Sequence, residues 1–558
     1  MFIGFIGHAQ HAMAAGNNYY VATTGSDSNA GTLSSPWLTI QHSASIVVAG
    51  DTVNIEAGTY TEKVTPANSG TAGSLITYQN YNDGTVIING TGVVTGDTGL
   101  FDISSKSYIV ISGLTIQNCT DGAGVYVAGS SYIYTTNLTI TATYESGILV
   151  MPSGSNNIYI NGCIVSHTNS STYDEAISLL TVNQFEIENC TVYDTQNDKE
   201  GIDCKVGCTN GSVHNNTVHN TRIGIYVEAA GTATSNIVIY DNLIYGCSTV
   251  GGIVIADEHG MSTLTNISIY NNILYNNRVG FQVALYGTET YNFSFINNTL
   301  YDNGTITEID VNPPASQLIN CVIRNNIIDN SAAGIYPLEA PAYGSPNLII
   351  DHNLFYNSFG WNVGSVYGTS YQLGNPNLLN PTTAFDLTAS SKLAINTGSP
   401  TYAPTTDYIG NARANPPCIG AYEYQSGPSI TANYLPNGTV GVAYFHSMEV
   451  TDGTPPYTWT IVSGELPTGL LFSANGDISG VPMIVGGPNS VTFTVTDSKN
   501  DSTSQTLSIT INSVPTLASI IQQFGNTGTP GWIAQDVNND GVINVLDMIN
   551  VVQNPPGQ

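Results

Sequence analysis

Gly162-Cys163-Ile164-Val165, Asn189-Cys190-Thr191-Val192 and Asn215-Asn216-Thr217-Val218 carry one short pattern three times: a polar or small residue, then Asn or Cys, then residues that are mostly apolar or Thr. The pattern continues at Asn242, Asn272, Asn298, Asn326 and Asn353. From Cys163 the successive steps are 27, 26, 26, 30, 26, 28 and 27 residues, with weaker forms upstream at Leu114 and Leu138. A second pattern runs in phase with it: Gly124-Val125-Tyr126-Val127, Gly147-Ile148-Leu149-Val150, Gly201-Ile202-Asp203-Cys204, Gly224-Ile225-Tyr226-Val227, Gly252-Ile253-Val254-Ile255 and Gly280-Phe281-Gln282-Val283. Each starts a short strand whose alternation sends Ile and Val inward and the residue between them outward. Two or three such strands cannot bury a face alone, whereas stacked coils share a continuous core. No 3.6-residue periodicity accompanies the repeat, so the reading is all-β, a parallel β-helix solenoid. Asn at one turn of successive coils predicts a hydrogen-bonded ladder along the axis.

Composition narrows the partners. The chain has 558 residues, with 10 Lys+Arg against 40 Asp+Glu and a formal charge of −30. So acidic a surface repels nucleic acid and anionic membranes and suits an extracellular protein that holds divalent cations. Hydrophobic residues at 41% and 33 Tyr argue against disorder. No run of 18 apolar residues is present, so no membrane span is expected. Eight cysteines, mostly scattered, give no zinc-type cluster; their even count permits disulfides, and several suit buried thiols equally well. Residues 1–15 hold a short apolar run ending in Ala12-Met13-Ala14, a small-x-small cleavage signature. They read as a clipped or atypical signal peptide, and export is expected.

The ends of the repeat carry a resemblance. Tyr19-Tyr20-Val21 through Gly25-Ser26-Asp27, with Gly50-Asp51-Thr52-Val53 and Gly58-Thr59-Tyr60, resembles the opening of secreted right-handed parallel β-helix proteins. Asp407-Tyr408-Ile409-Gly410 with Arg413, then Ile419-Gly420-Ala421-Tyr422-Glu423, resembles the segment that closes them. The solenoid is accordingly assigned to 16–427. Residues 428–513, with Gly453-Thr454-Pro455-Pro456-Tyr457-Thr458-Trp459 and Thr492-Phe493-Thr494-Val495-Thr496-Asp497, look like a bacterial immunoglobulin-like β-sandwich, whose usual role is that of a spacer. Residues 514–558 contain Asp536-Val537-Asn538-Asn539-Asp540-Gly541-Val542-Ile543-Asn544-Val545-Leu546-Asp547. Asp536, Asn538, Asp540, Asn544 and Asp547 fall at loop positions 1, 3, 5, 9 and 12, Gly541 at the sharp turn, and Val542 offers its carbonyl. The loop resembles a dockerin repeat, a small helical EF-hand-like segment that implies Ca2+ and a cohesin-type partner. The upstream half, Pro515 to Trp532, has no second loop.

Ionisable residues cluster in one place. Lys199, Lys205 and Arg222 fall within 24 positions, among Asp174, Glu175, Asp198, Glu200, Asp203, Glu228, Asp257, Glu258 and His259. Repeat phasing puts Glu175 and Glu200 just before successive strands. It puts Asp203 and Tyr226 at the first outward position and Lys205 and Glu228 at the second. With coils about 4.8 Å apart these side chains form one patch. A solvated face, or a surface ion pair worth under about 1 kcal/mol, is the alternative.

The chemistry such a patch suits is β-elimination on a uronic-acid polymer, an acidic polysaccharide. Calcium on Asp198, Glu200 and Asp203 neutralises the substrate carboxylate, and Lys205 takes the C5 proton. Carboxylates around Lys205 raise its pKa unless calcium takes up their charge, so metal and base stand or fall together. Arg222 pairs with a second carboxylate or stabilises the enolate. Glu175, Glu258 and His259 are candidates for substrate contact.

Asp198-Lys199-Glu200-Gly201-Ile202-Asp203 resembles the calcium-binding coil of β-helix pectate lyases of the Asp-Asp-x-x-Asp type. In that family the base Lys stands one coil later, in the slot held here by Tyr226, which is the alternative base. A glycoside hydrolase using Asp203 with Glu228 or Glu200, an epimerase, and a non-catalytic calcium-binding adhesion protein are the other readings.

Overall fold

The computed structural model describes residues 16–152, 154–168, 175–196, 199–258, 262–304, 307–330, 336–357, 368–381, 383–498 and 500–514, with 542 and 544. The solenoid unit runs to Tyr424 and a second unit begins at Gln425.

Three parallel sheets of 13, 13 and 10 strands build the solenoid, and from Gly99 to Tyr356 each coil gives one strand to each sheet. The registers keep like residues in rows: Ile133, Ile158 and Phe185 pair in succession in the first sheet, and Ile148, Ile177, Ile202, Ile225 and Ile253 in the third. These inward Ile, Val and Phe side chains form one continuous buried core. The recurring Gly has a steric cause. A Cβ on Gly224 would lie 2.4 Å from Ile244 Cγ2 and 2.6 Å from Gly252 O. At the N-terminal end a short helix, Ile40–Ile46, capped by the Thr39 side chain, packs Ile40 and Ala44 into the core.

The expected ladder is present. Asn216, Asn242, Asn272, Asn298, Asn326 and Asn353 are buried, each bonded to the next across a coil. Asn272 is typical: its backbone N–H donates to Asn298 Oδ1 at 2.9 Å. Its amide donates to the same oxygen at 3.0 Å and to Ile239 O at 3.0 Å. The residue before each of the first five rungs (Asn215, Asp241, Asn271, Asn297, Asn325) turns the corner with φ between 55° and 57°, a conformation that Asn and Asp tolerate. A second ladder, unanticipated, runs from Cys247 through Asn277 and Asn303 and ends on the buried carboxylate of Glu308. All eight cysteines are buried free thiols; Cys163 and Cys190 hold slots in the first ladder's series.

The segment expected to close the solenoid lies along its side. Ile327 and Leu354 of the second sheet pack with Leu387, Ala394, Cys418 and Ile419. Arg413, paired with Glu423 at 3.3 Å, also donates to Asn271 Oδ1 at 2.7 Å, and Asn297 donates to Cys418 O and Gly420 O.

In the second unit a four-stranded and a three-stranded sheet enclose Trp459, Ile478, Val491, Phe493 and Ile509. This is the expected sandwich. The residues 1–15 and the dockerin-like ligands Asp536, Asn538, Asp540 and Asp547 lie outside the described residues. Of that loop, Val542 and Asn544 are described, and the Asn544 amide donates to Val542 O at 3.1 Å.

Candidate functional site

Four neighbouring strands of the third sheet, Ile177–Leu180, Ile202–Lys205, Ile223–Glu228 and Gly251–Ala256, build the charged patch. Their register aligns Ser178, Asp203, Tyr226 and Val254 in one outward row, and Leu180 with Lys205 in the next. Outward does not mean solvated here. Asp203 is 1% exposed, Tyr226 4%, and Glu175, Glu200 and Glu228 are buried with them. The solvated-face alternative therefore fails: Tyr226 packs in its own apolar cluster with Ile223, Val254 and Ala256, outside the solenoid core.

Inside the patch Lys205 Nζ sits 2.5 Å from Glu175 Oε2 and 3.2 Å from Asp203 Oδ2. Ser178 donates to Glu175 Oε2 at 2.9 Å, and Tyr226 donates to Glu258 Oε1 at 3.0 Å. Arg222, partly exposed, donates to Glu200 Oε1 at 3.1 Å. Among the described residues Asp203 Oδ1 is buried with no hydrogen-bond partner.

The electrostatics follow from burial. Desolvation raises Asp203, Lys205 opposes it, and Glu175, Glu228 and Glu200 add to the rise. Desolvation and the neighbouring Glu175 raise Glu200 against the pull of Arg222. Burial, with Glu258 close by, pushes Glu228 up to about 7. Burial by itself lowers Lys205, but Asp203 and Glu175 more than offset it and hold the ammonium. Burial, then Glu258, Glu228 and Asp203, keeps the Tyr226 phenol protonated.

Four buried carboxylates thus face two cations, and one carboxylate oxygen has no donor. Buried charge left uncompensated is costly.

The structure brings together Glu175, Glu200, Asp203, Lys205, Arg222, Tyr226, Glu228 and Glu258. Glu175, expected at the substrate, instead grips Lys205 inside the cluster. Asp198 and His259 lie outside the described residues. Sequence reasoning missed Ser178, although it holds the register slot one coil before Asp203. It also missed Tyr286, which feels the charges of Glu258 and Arg222. It passed over a second cluster on the first sheet, where ligand atoms of Glu186, Glu188 and His214 lie within 4.8 Å of one another.

Similarities to known proteins agree with the architecture. Residues 19–176 match the family described as "Pel9A-like, right handed beta helix region", 98–266 match "Right handed beta helix region", and 427–512 match "Putative Ig domain". The chain thus contains a pectate-lyase-like right-handed β-helix region and an immunoglobulin-like domain. It is 41% identical over 125 residues to the uncharacterized protein YwoF of Bacillus subtilis (strain 168), covering 21% of this chain and 27% of that one. It is 29% identical over 154 residues to pectate lyase PEL9 of Emericella nidulans, covering 25% of this chain and 37% of the relative. The chain therefore spans between a quarter and two fifths of the length of these curated relatives. Among solved structures, pectate lyase Pel9A superposes with a TM-score of 0.48 at 16% identity, covering 74% of this chain and 98% of the other. No helix among the described residues is long and apolar enough to cross a membrane.

Proposed function

We propose that the chain is a secreted, calcium-dependent polysaccharide lyase that cleaves a uronic-acid polymer by β-elimination. The observation that carries this reading is the buried carboxylate cluster of Glu175, Glu200, Asp203 and Glu228 around Lys205. The name of the Emericella relative and the description of the first matched family support an acidic polysaccharide as substrate.

Glu200 and Asp203 are the described residues that would hold calcium, together with Asp198 of the sequence motif. The ion supplies Lewis-acid neutralisation of the uronate carboxylate, which acidifies the C5 proton. The chain's own groups do the rest. Lys205 is desolvated, and only its two carboxylate partners keep it charged. With their charge taken up, burial favours the neutral amine, and Lys205 is the base for C5–H. Arg222, at the open side of the patch, pairs with a substrate carboxylate or with the enolate as it forms. Tyr226 holds its proton in this frame and suits donation to the leaving oxygen better than abstraction.

A second reading has one observation in its favour. Glu228, pushed up to about 7, is poised as the general acid of a glycoside hydrolase with Asp203 or Glu200 as its partner. The test is ultraviolet absorbance during incubation with a panel of uronic-acid polysaccharides, in calcium and then in chelator. A calcium-dependent rise reports the unsaturated product of elimination. A flat trace with new reducing ends reports hydrolysis, and neither signal sinks both enzymatic readings in favour of a binding protein. The loop at Asp536–Asp547 belongs to the proposal as a separate calcium site, with a cohesin-type module as its partner.

A further inference from the structure

From Tyr193 on, the last residue of each three-residue strand in the second sheet aligns down the solenoid on its outer side. The row reads Tyr193, His219, Tyr245, Tyr275, Tyr301, Asp329 and Tyr356. The early rings stack face to face at the spacing of the coils. Tyr193 and His219 are 5.1 Å apart, His219 and Tyr245 4.7 Å, and Tyr245 and Tyr275 4.8 Å, with planes within 17° of parallel. Tyr275 and Tyr301 then meet Phe385 of the side segment at 5.3 and 6.1 Å.

Asp329 is the single break in this row of rings. Its neighbours Tyr301 and Tyr356 stand two coil rises apart, about 9.6 Å, which is the thickness left by one missing ring. A cavity of about 460 Å³ opens at this place. Tyr301 and Tyr356 line it from the coils, with Asp329 and Asn357 between them, and Asn377 and Ser390 line it from the side segment. Asp329 is buried and accepts from the Asn357 amide at 3.3 Å, while Asn377 donates to Ser390 O at 3.0 Å. Burial, with Asp302 nearby, pushes Asp329 up to about 6.

We propose that this cleft is a binding subsite for a neutral pyranose unit of a polysaccharide, lodged between the two tyrosines with Asp329 bonding its hydroxyls. Amides, hydroxyls and a carboxyl between aromatic walls match a ring with polar edges and apolar faces. Among the described residues no Lys or Arg lines the cleft, and a buried carboxylate repels a uronate, so the unit held is uncharged. The subsite lies on the second sheet, apart from the carboxylate cluster of the third, and does not rest on the lyase reading.

The test is calorimetric titration of the full chain with neutral galactan, xylan and glucan oligosaccharides, with polygalacturonate oligosaccharides and with choline. At least one neutral series binds. Asp329→Tyr restores the missing ring, keeps the melting temperature, and weakens that binding about tenfold or more. Asn377→Gly, at an exposed position whose φ of 52° glycine adopts without strain, weakens it about three- to tenfold. The proposal is overturned if no neutral saccharide binds, if both variants bind as the parent does, or if only the choline cation responds to Asp329→Tyr. That last outcome would mark the cleft as a cation cage.

Discussion

Asn242, Asn272, Asn298 and Asn326 bury amides whose donors and acceptors are all engaged along the turn. On the outer face of the third sheet, Glu175, Glu200, Asp203 and Glu228 bury carboxylates that outnumber their cations, and Asp203 Oδ1 has no partner. Both systems repeat with the coil and both are dry. The amide rows satisfy themselves coil by coil and therefore belong to the architecture. Among the described residues the carboxylate cluster is left with an unpartnered oxygen, which is the observation behind the proposed cation.

The sharpest way to break this comparison is Lys205→Ala. If the cluster is catalytic, turnover on the polysaccharide falls by about a thousandfold or more, equivalent to about 4 kcal/mol of barrier. Melting in calcium shifts by only a few degrees. Retention of activity within tenfold would remove Lys205 as the base and leave the cluster to structure.

In the ladder the expected balance is reversed. Asn298→Leu strips both the Asn272 N–H and the Asn272 amide of their acceptor and removes the amide donor to Ile269 O, Ile296 O and Asn326 Oδ1, which keeps only the backbone N–H of residue 298. The cost is about 2–4 kcal/mol in a denaturant titration, with turnover per folded molecule unchanged. A loss no larger than that of a surface substitution would show that the ladder is not a stabilising row.

Much of this contrast was legible in the residues, for a physical reason. A coil must return to the same place, so its turn chemistry recurs, and Asn or Cys before an apolar pair marks the turn wherever it occurs. The same periodicity placed Asp203 beside Tyr226. The turn partners of the patch were not legible, because Glu258, which accepts from Tyr226, and Tyr286 come from turns whose positions the strand repeat does not fix. The second ladder was missed because its slots are filled by different pairs, Gly246-Cys247, Asn276-Asn277 and Asp302-Asn303. Phasing also shows each strand's register but not the loss of one ring from a row, so Asp329 passed unread.

A smaller effect separates the two systems by pH. The folded Glu228 titrates near 7, above the ordinary carboxylate range, because burial disfavours its charge. Its contribution to stability is therefore complete below that range and is lost as pH rises through about 7. In chelator the melting temperature should fall from pH 5 to pH 8, by about 1–3 kcal/mol of stability for this group. Asp241, also pushed up to about 7 by burial, contributes in the same sense. Calcium should flatten the decline, since it favours the ionised cluster. A curve unchanged by calcium would disconnect the carboxylates from any metal.

The finest discrimination rests on Glu228→Gln. Among the buried carboxylates of the patch, Glu228 makes no ion pair, and its neighbours Glu258 and Glu175 repel its charge. An amide of the same shape removes that repulsion, so in chelator at pH 8 the variant should be more stable than the parent by about 1 kcal/mol. Its pH decline should keep only the part owed to other groups. The activity of the same variant then divides the two chemistries. In a lyase, Lys205 moves the proton and Glu228 only shapes the field around it, so turnover changes by less than about tenfold. In a hydrolase, Glu228 gives its proton to the glycosidic oxygen, an amide cannot, and turnover falls about a hundredfold or more. Stabilisation with turnover retained therefore leaves Glu228 a bystander to the chemistry and favours elimination. Stabilisation with turnover lost assigns it to acid catalysis.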